Sequence, residues 1–150
     1  MDQRLTDILL VEDDPGDAEM IIRALKKNGL SRNIVHVENG AEAVDFLFGT
    51  GTCEGQGIQQ PRVVVLDLNM PKLNGLAVLK MIREDKRTQN IPVVVLTSSQ
   101  EPSDIRSCYD AGVNSYIVKP VEFSEFSKTV SMISQYWLEF NLYEENPKYY

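Results

Sequence analysis

Two runs, Val63-Val64-Val65-Leu66 and Val93-Val94-Val95-Leu96, constrain the fold more than any other feature of this 150-residue chain. Neither contains a polar position, so each strand must be covered on both faces, as in a parallel sheet between two layers of helices. Three further β-rich segments accompany them, giving expected strands at Asp7–Val11, Asn33–Val37, Arg62–Leu66, Pro92–Leu96 and Ser115–Val118. Between the strands lie segments of helical spacing. These are Asp17–Asn28, with the stop signal Asn28-Gly29, then Ala41–Phe48, Leu76–Arg83, Ser103–Asp110 and a last helix from about Glu122 to Phe140. Strand alternating with helix in this way predicts a doubly wound α/β domain, a five-stranded parallel sheet flanked by five helices. The glycine-rich stretch Gly49–Pro61 is expected to be a surface loop.

A chain of this length supplies one complete core but not two. Residues 1–140 are expected to form a single domain and 141–150 a C-terminal extension, with no output domain. The sum of 15 basic and 22 acidic residues is −7 with the histidine neutral. No basic tract offsets it, so nucleic acid is not an expected partner. The apolar runs fall far short of the ~20 residues a membrane span needs, and Met1-Asp2-Gln3-Arg4 lacks a signal-peptide pattern. Cys53 and Cys108 stand far apart with no pairing motif, which suits a reducing cytosol. A cytoplasmic protein without membrane contact is the expectation. His36 is the only histidine, which excludes a multi-histidine metal site. Its place in the second strand makes it a strand-face residue, neither phosphosite nor catalytic base.

In open α/β sheets, ligands bind beyond the carboxyl ends of the strands. Glu12-Asp13-Asp14 follows the first strand, Asp67-Leu68-Asn69-Met70-Pro71 the third, Thr97-Ser98-Ser99 the fourth and Lys119-Pro120 the fifth. Singly, each has a bland explanation: an acidic cluster before Pro15 is commonly a helix cap, and Lys119 could be a surface charge. Jointly, they bring acidic side chains and one lysine to a single rim. Unpaired carboxylates held close together repel, which raises a pKa or demands a cation. Hard oxygen donors suit Mg²⁺, which keeps several of its waters. A carboxylate, a divalent ion, a hydroxyl and an ammonium are what holding a phosphoryl group requires, so the rim points to an aspartate that accepts phosphate.

The segments ILLVEDD (8–14), VVVLDLNMPKLNG (63–75), VVVLTSS (93–99) and YIVKP (116–120), in this order and spacing, resemble the response-regulator receiver domain of two-component signalling. The resemblance covers roughly Asp7 to Tyr136 and implies the flavodoxin-like receiver fold. It implies that Asp67 is the phosphoacceptor and that Asp13 binds Mg²⁺ (or Mn²⁺) directly, with Glu12 acting mainly through water. Asn69 would give its backbone carbonyl to the metal, Thr97 would bond the phosphoryl oxygen, and Lys119 would pair with its charge. Tyr116 occupies the aromatic switch position, Asp14 has a lesser role, and Lys119-Pro120 matches a site where receivers commonly hold a cis peptide. Asn69 and Ser99 sit where family members vary the lifetime of the phosphoryl state. The implied partner is a sensor histidine kinase. GVNSYIVKP followed by QYWLEF further resembles stand-alone receivers paired with bacterial phytochrome kinases. Such a protein turns over no external substrate, although it assists its own phosphorylation and dephosphorylation.

In the last helix Phe123, Phe126, Val130, Ile133, Trp137 and Phe140 fall at alternating spacings of three and four, an a/d stripe. At ~1.5 Å per residue the helix should extend roughly 28 Å, against ~17 Å for a short strand. Tyr136, Trp137 and Phe140 should therefore project beyond the sheet without a core to join. They are the expected interface of a homodimer through the fourth helix, fifth strand and fifth helix.

Other classes fit less well. A haloacid-dehalogenase-type phosphatase needs a second acid two residues after its nucleophile, where this chain has Asn69. A flavodoxin-like carrier needs a phosphate loop after the first strand, where three acids would repel flavin phosphate. A pseudo-receiver used only for docking has no need of Asp13, Asp67, Thr97 and Lys119 together. Cys53 has no neighbour in sequence that would activate its thiolate.

Overall fold

The structure is a computed structural model and describes residues 6–27 and 33–142. The expected stop at Asn28-Gly29, the N-terminal Met1–Arg4 and residues 143–150 of the extension lie outside the described residues.

The elements follow the expected order: β1 (Ile8–Val11), α1 (Pro15–Lys27), β2 (Ile34–Val37), α2 (Gly40–Phe48), β3 (Val63–Leu66), α3 (Gly75–Glu84), β4 (Val93–Thr97), α4 (Pro102–Asp110), β5 (Ser115–Val118) and α5 (Phe123–Gln135). The strands form one sheet in the order β2-β1-β3-β4-β5. All pairings are parallel, with Val11 opposite Leu66 and Leu66 opposite Val95. The chain winds to one side from β1 to β2 and to the other from β3 onward, so the crevice beyond β1 and β3 is the switch point where ligands bind in such sheets.

The valine runs are buried on both faces, and their alternate residues serve two cores. Leu9, Val11, Val64, Leu66, Val93 and Val95 pack with Ala43 and Leu47 of α2 and Val78, Leu79 and Ile82 of α3. Ile8, Leu10, Val63, Val65, Val94 and Leu96 meet Ala18, Ile21 and Leu25 of α1 and Phe126, Val130 and Ile133 of α5. This period-two division dictates which helices lie on which side.

The Gly49–Pro61 stretch is less irregular than expected. Gly49 closes α2 at a φ of 65°, a left-handed value that glycine adopts without steric cost. A short 3-10 turn, Gly51–Cys53, follows. The Asp45 carboxylate accepts from the Thr50 hydroxyl at 3.0 Å and anchors that turn.

The last helix also differs from the expectation. Regular α-helix ends at Gln135, and Tyr136–Phe140 form a π-turn in which the Asn141 N–H donates to the Tyr136 carbonyl at 2.7 Å. A π-turn adds a residue to the helical repeat, so Trp137 and Phe140 no longer share one stripe. Trp137 is half-buried and packs against the α1–α5 core. It therefore does have a core to join, contrary to the expectation. Tyr136 and Phe140 remain 53% and 65% exposed. Phe123 at the helix start is exposed as well, so the buried part of the stripe begins at Phe126.

Candidate functional site

Backbone ladders continue one residue past the strand ends and fix the rim. The Glu12 N–H donates to the Val37 carbonyl at 3.1 Å, that of Asp67 to the Val11 carbonyl at 3.0 Å, and that of Lys119 to the Thr97 carbonyl at 2.7 Å. The side chains that follow β1, β3 and β5 are thereby aimed at one another across the switch point.

Lys119 lies at the centre of this cluster. Its buried ammonium stands 2.6 Å from Glu12 Oε1, 2.8 Å from Asp17 Oδ2 and 3.3 Å from Asp67 Oδ2. Glu12, Asp13 and Asp67 each present a carboxylate oxygen within 4.8 Å of the other two. Glu12 and Asp67 are buried and Asp13 is exposed. Burial is the main force on Glu12; with the charge of Asp67 it pushes the carboxyl up to about 7, against the opposing pull of Lys119. Burial alone would depress Lys119, but hydrogen bonds to Asp17 and Glu12 and the charge of Asp67 outweigh it and hold the amine above its ordinary value. One ammonium among four carboxylates leaves the rim short of positive charge. Hard oxygen donors with one solvent-facing member suit a divalent ion that keeps part of its water shell.

The remaining expected residues are distributed around this centre. Thr97 is fully buried at the end of β4, and its hydroxyl oxygen accepts from the Ser99 N–H at 3.4 Å. Tyr116 is half-buried in β5 and donates its hydroxyl to the Ser99 carbonyl at 2.9 Å. The Ser99 hydroxyl in turn donates to Asp104 of α4 at 2.5 Å. The β4–α4 loop is thus held from both sides by groups that could release it. Asn69 is exposed, with its N–H 3.5 Å from Asp67 Oδ1. Asp14 behaves as a helix cap, its carboxylate accepting from the Asp17 N–H at 3.0 Å. His36 is exposed on β2, with Nε2 2.9 Å from the Glu12 carbonyl. Among the described residues no peptide is cis, so Lys119-Pro120 does not have the expected cis geometry. The trans form is the one an X–Pro bond ordinarily favours, by ~0.5–1 kcal/mol.

Below the rim, α3 is capped by Asn74, whose side chain accepts from the Ala77 N–H at 2.9 Å. Gly75 then passes so close to β3 that a β-carbon there would run into the Asp67 carbonyl oxygen. Tyr136, Trp137 and Phe140 are remote from this chemistry, because α5 starts at the rim and runs back toward the other end of the strands. The rings of Tyr136 and Trp137 stack edge-on at 4.9 Å and 81°.

Asp17 is the site residue that sequence reasoning missed. In the sequence it marks only the start of the expected Asp17–Asn28 helix. The available signal was its place in the first turn after Glu12-Asp13-Asp14, which points its backbone back toward the rim.

Residues 8–131 match the response regulator receiver domain. The chain is 42% identical over 134 residues to the probable methanogenesis regulatory protein FilR2 of Methanothrix harundinacea, covering 89% of this chain and 84% of that protein. It is 35% identical over 132 residues to the response regulator Rcp1 of Synechocystis, covering 88% of each. The Mn²⁺-bound form of Rcp1 superimposes with a TM-score of 0.86, at 33% identity over 93% of this chain and 99% of that one. The phosphorylated cyanobacterial phytochrome response regulator RcpA does so with a TM-score of 0.87, at 35% identity over 94% and 99%. Together with a five-stranded parallel sheet whose switch-point rim gathers Glu12, Asp13, Asp67 and Lys119, these matches show that the chain belongs to the response regulator receiver domain family.

Proposed function

We propose that this protein is a response regulator that accepts a phosphoryl group on Asp67 from a sensor histidine kinase and signals through protein–protein contacts. The observation that carries the reading is the Lys119 ammonium 3.3 Å from Asp67 within a cluster of carboxylates. An Asp67 oxygen attacks phosphorus in line as the P–N bond of the kinase phosphohistidine breaks. The imidazole leaves with the bonding pair, and Lys119 pairs with an oxygen of the transferred group. Glu12, Asp13, Asp67 and the Asn69 carbonyl would hold Mg²⁺ or Mn²⁺, which would neutralise charge on the transferring group. Support comes from the rim chemistry and from the Mn²⁺-bound state of Rcp1. No external substrate is consumed.

The phosphoryl group brings negative charge and acceptor oxygens to Thr97. Drawing Thr97 toward them disturbs the Ser99 loop, which Tyr116 and Asp104 hold, and so biases α4 and β5. The likeness to RcpA supports a phytochrome-type kinase as partner. Exposed Tyr136, its ring edge-on to Trp137, and exposed Phe140 support a homodimer through α4, β5 and α5.

The test is phosphotransfer from an autophosphorylated phytochrome-type kinase carrying a radiolabel. Label should pass to the wild type as a hydroxylamine-sensitive acyl phosphate and not to Asp67→Asn. Equal labelling of both proteins would remove Asp67 from its role. Labelling of neither by any donor would favour a docking module that is never phosphorylated.

A further inference from the structure

Lys119 has more partners than phosphoryl binding explains. We propose that Asp17 is a positioning residue that holds the Lys119 ammonium off Asp67 and yields it when a phosphoryl group arrives there. This rests on Asp67 being the phosphoacceptor.

The three partners of Lys119 are not equivalent. Glu12 Oε1 is nearest to the ammonium, at 2.6 Å, and Asp17 Oδ2, at 2.8 Å, lies closer than Asp67 Oδ2 does, at 3.3 Å. The Asp17 side chain is 28% exposed, against 2% for Glu12 and 9% for Asp67. A buried carboxylate that loses its cation faces a large desolvation cost, whereas one at the surface is rehydrated. Asp17 also stands in the first turn of α1 with its N–H fixed by Asp14, where the helix N-terminus favours a negative charge. Asp17 is therefore the partner best able to release the lysine.

Two opposite consequences follow. Without the Asp17 carboxylate, Lys119 falls back on Glu12 and Asp67 and competes with the metal for them, so the unphosphorylated protein binds Mg²⁺ more weakly. A phosphoryl group then meets a lysine with one competitor fewer, so the phosphoryl-bearing state is favoured. Loss of local structure would instead weaken both.

The experiment compares wild type, Asp17→Asn, Lys119→Met and the double variant. Mg²⁺ affinity is measured by calorimetry, and beryllofluoride, a phosphoryl analogue, is titrated by fluorine NMR at saturating Mg²⁺. Asp17→Asn should weaken Mg²⁺ binding several-fold in the wild-type background and leave it unchanged in the Lys119→Met background. It should tighten beryllofluoride binding about tenfold or more, the scale of one charge-assisted hydrogen bond. Shifts in the same direction, no shift, or a Mg²⁺ effect that persists without Lys119 would overturn the role of Asp17 while leaving the phosphoacceptor reading intact. A wild type that binds neither Mg²⁺ nor beryllofluoride would overturn both.

Discussion

Burial beside Asp67 pushes the Glu12 carboxyl from 4.5 to about 7, which links folding to pH in a definite direction. Between these values the folded protein retains a proton that the unfolded chain has released. Folded molecules then bind more protons, so stability falls as pH rises through this window. Denaturation of metal-free protein at pH 5 and pH 7.5 should show the wild type losing on the order of 1–3 kcal/mol relative to Glu12→Gln, at about 1.4 kcal/mol per unit. Parallel losses in the two proteins would contradict it. At this scale the sequence exposed the residues that end strands, Glu12, Asp13, Asp67, Thr97 and Lys119, because a parallel sheet leaves its strand ends on one rim. It did not expose Asp17, whose role depends on how the first turn of α1 meets a lysine 102 positions away.

The first turn of α3 is a second support for the site. A β-carbon at Gly75 would meet the Asp67 carbonyl oxygen and lie 2.9 Å from Leu68 Cα, backbone that cannot move aside without displacing Asp67. Gly75→Ala should cost about 1–3 kcal/mol in chemical denaturation and reduce phosphoryl uptake as well. Unchanged stability and uptake would show that α3 can retreat freely.

Arg83, at the other end of α3, ties three segments together. It donates to the Gly112, Gln89 and Ile91 carbonyls and to Asn114 Oδ1 at 2.7–3.0 Å. Arg83→Ala should cost about 2 kcal/mol, a fall of roughly 4–8 °C in Tm for a domain of this size. A Tm within a degree of wild type would contradict that role. The helices themselves were legible to within a few residues from apolar spacing and caps. The π-turn at Tyr136–Phe140 was not, because a repeat of three and four looks the same in sequence whether or not the turn widens.

For the whole molecule, the valine runs determined the architecture. Strands without a polar face need helices on both sides, and parallel strands need the crossovers that supply them. The proposed interface is left with fewer residues than the spacing implied, since Trp137 packs against its own core while Tyr136 and Phe140 stay exposed. Tyr136→Asp with Phe140→Asp should convert a dimer to a monomer in sedimentation without altering Tm by more than a few degrees. A monomeric wild type, or a dimer that survives both changes, would contradict an interface there.

Intact mass after incubation with acetyl phosphate, with and without Mg²⁺, on wild type and Asp67→Asn tests the central claim most directly. The expected result is a gain of one phosphoryl group, about 80 Da, in the wild type only, and only with Mg²⁺. A gain of the same size in Asp67→Asn, or none in the wild type at saturating Mg²⁺, would contradict Asp67 as the phosphoacceptor.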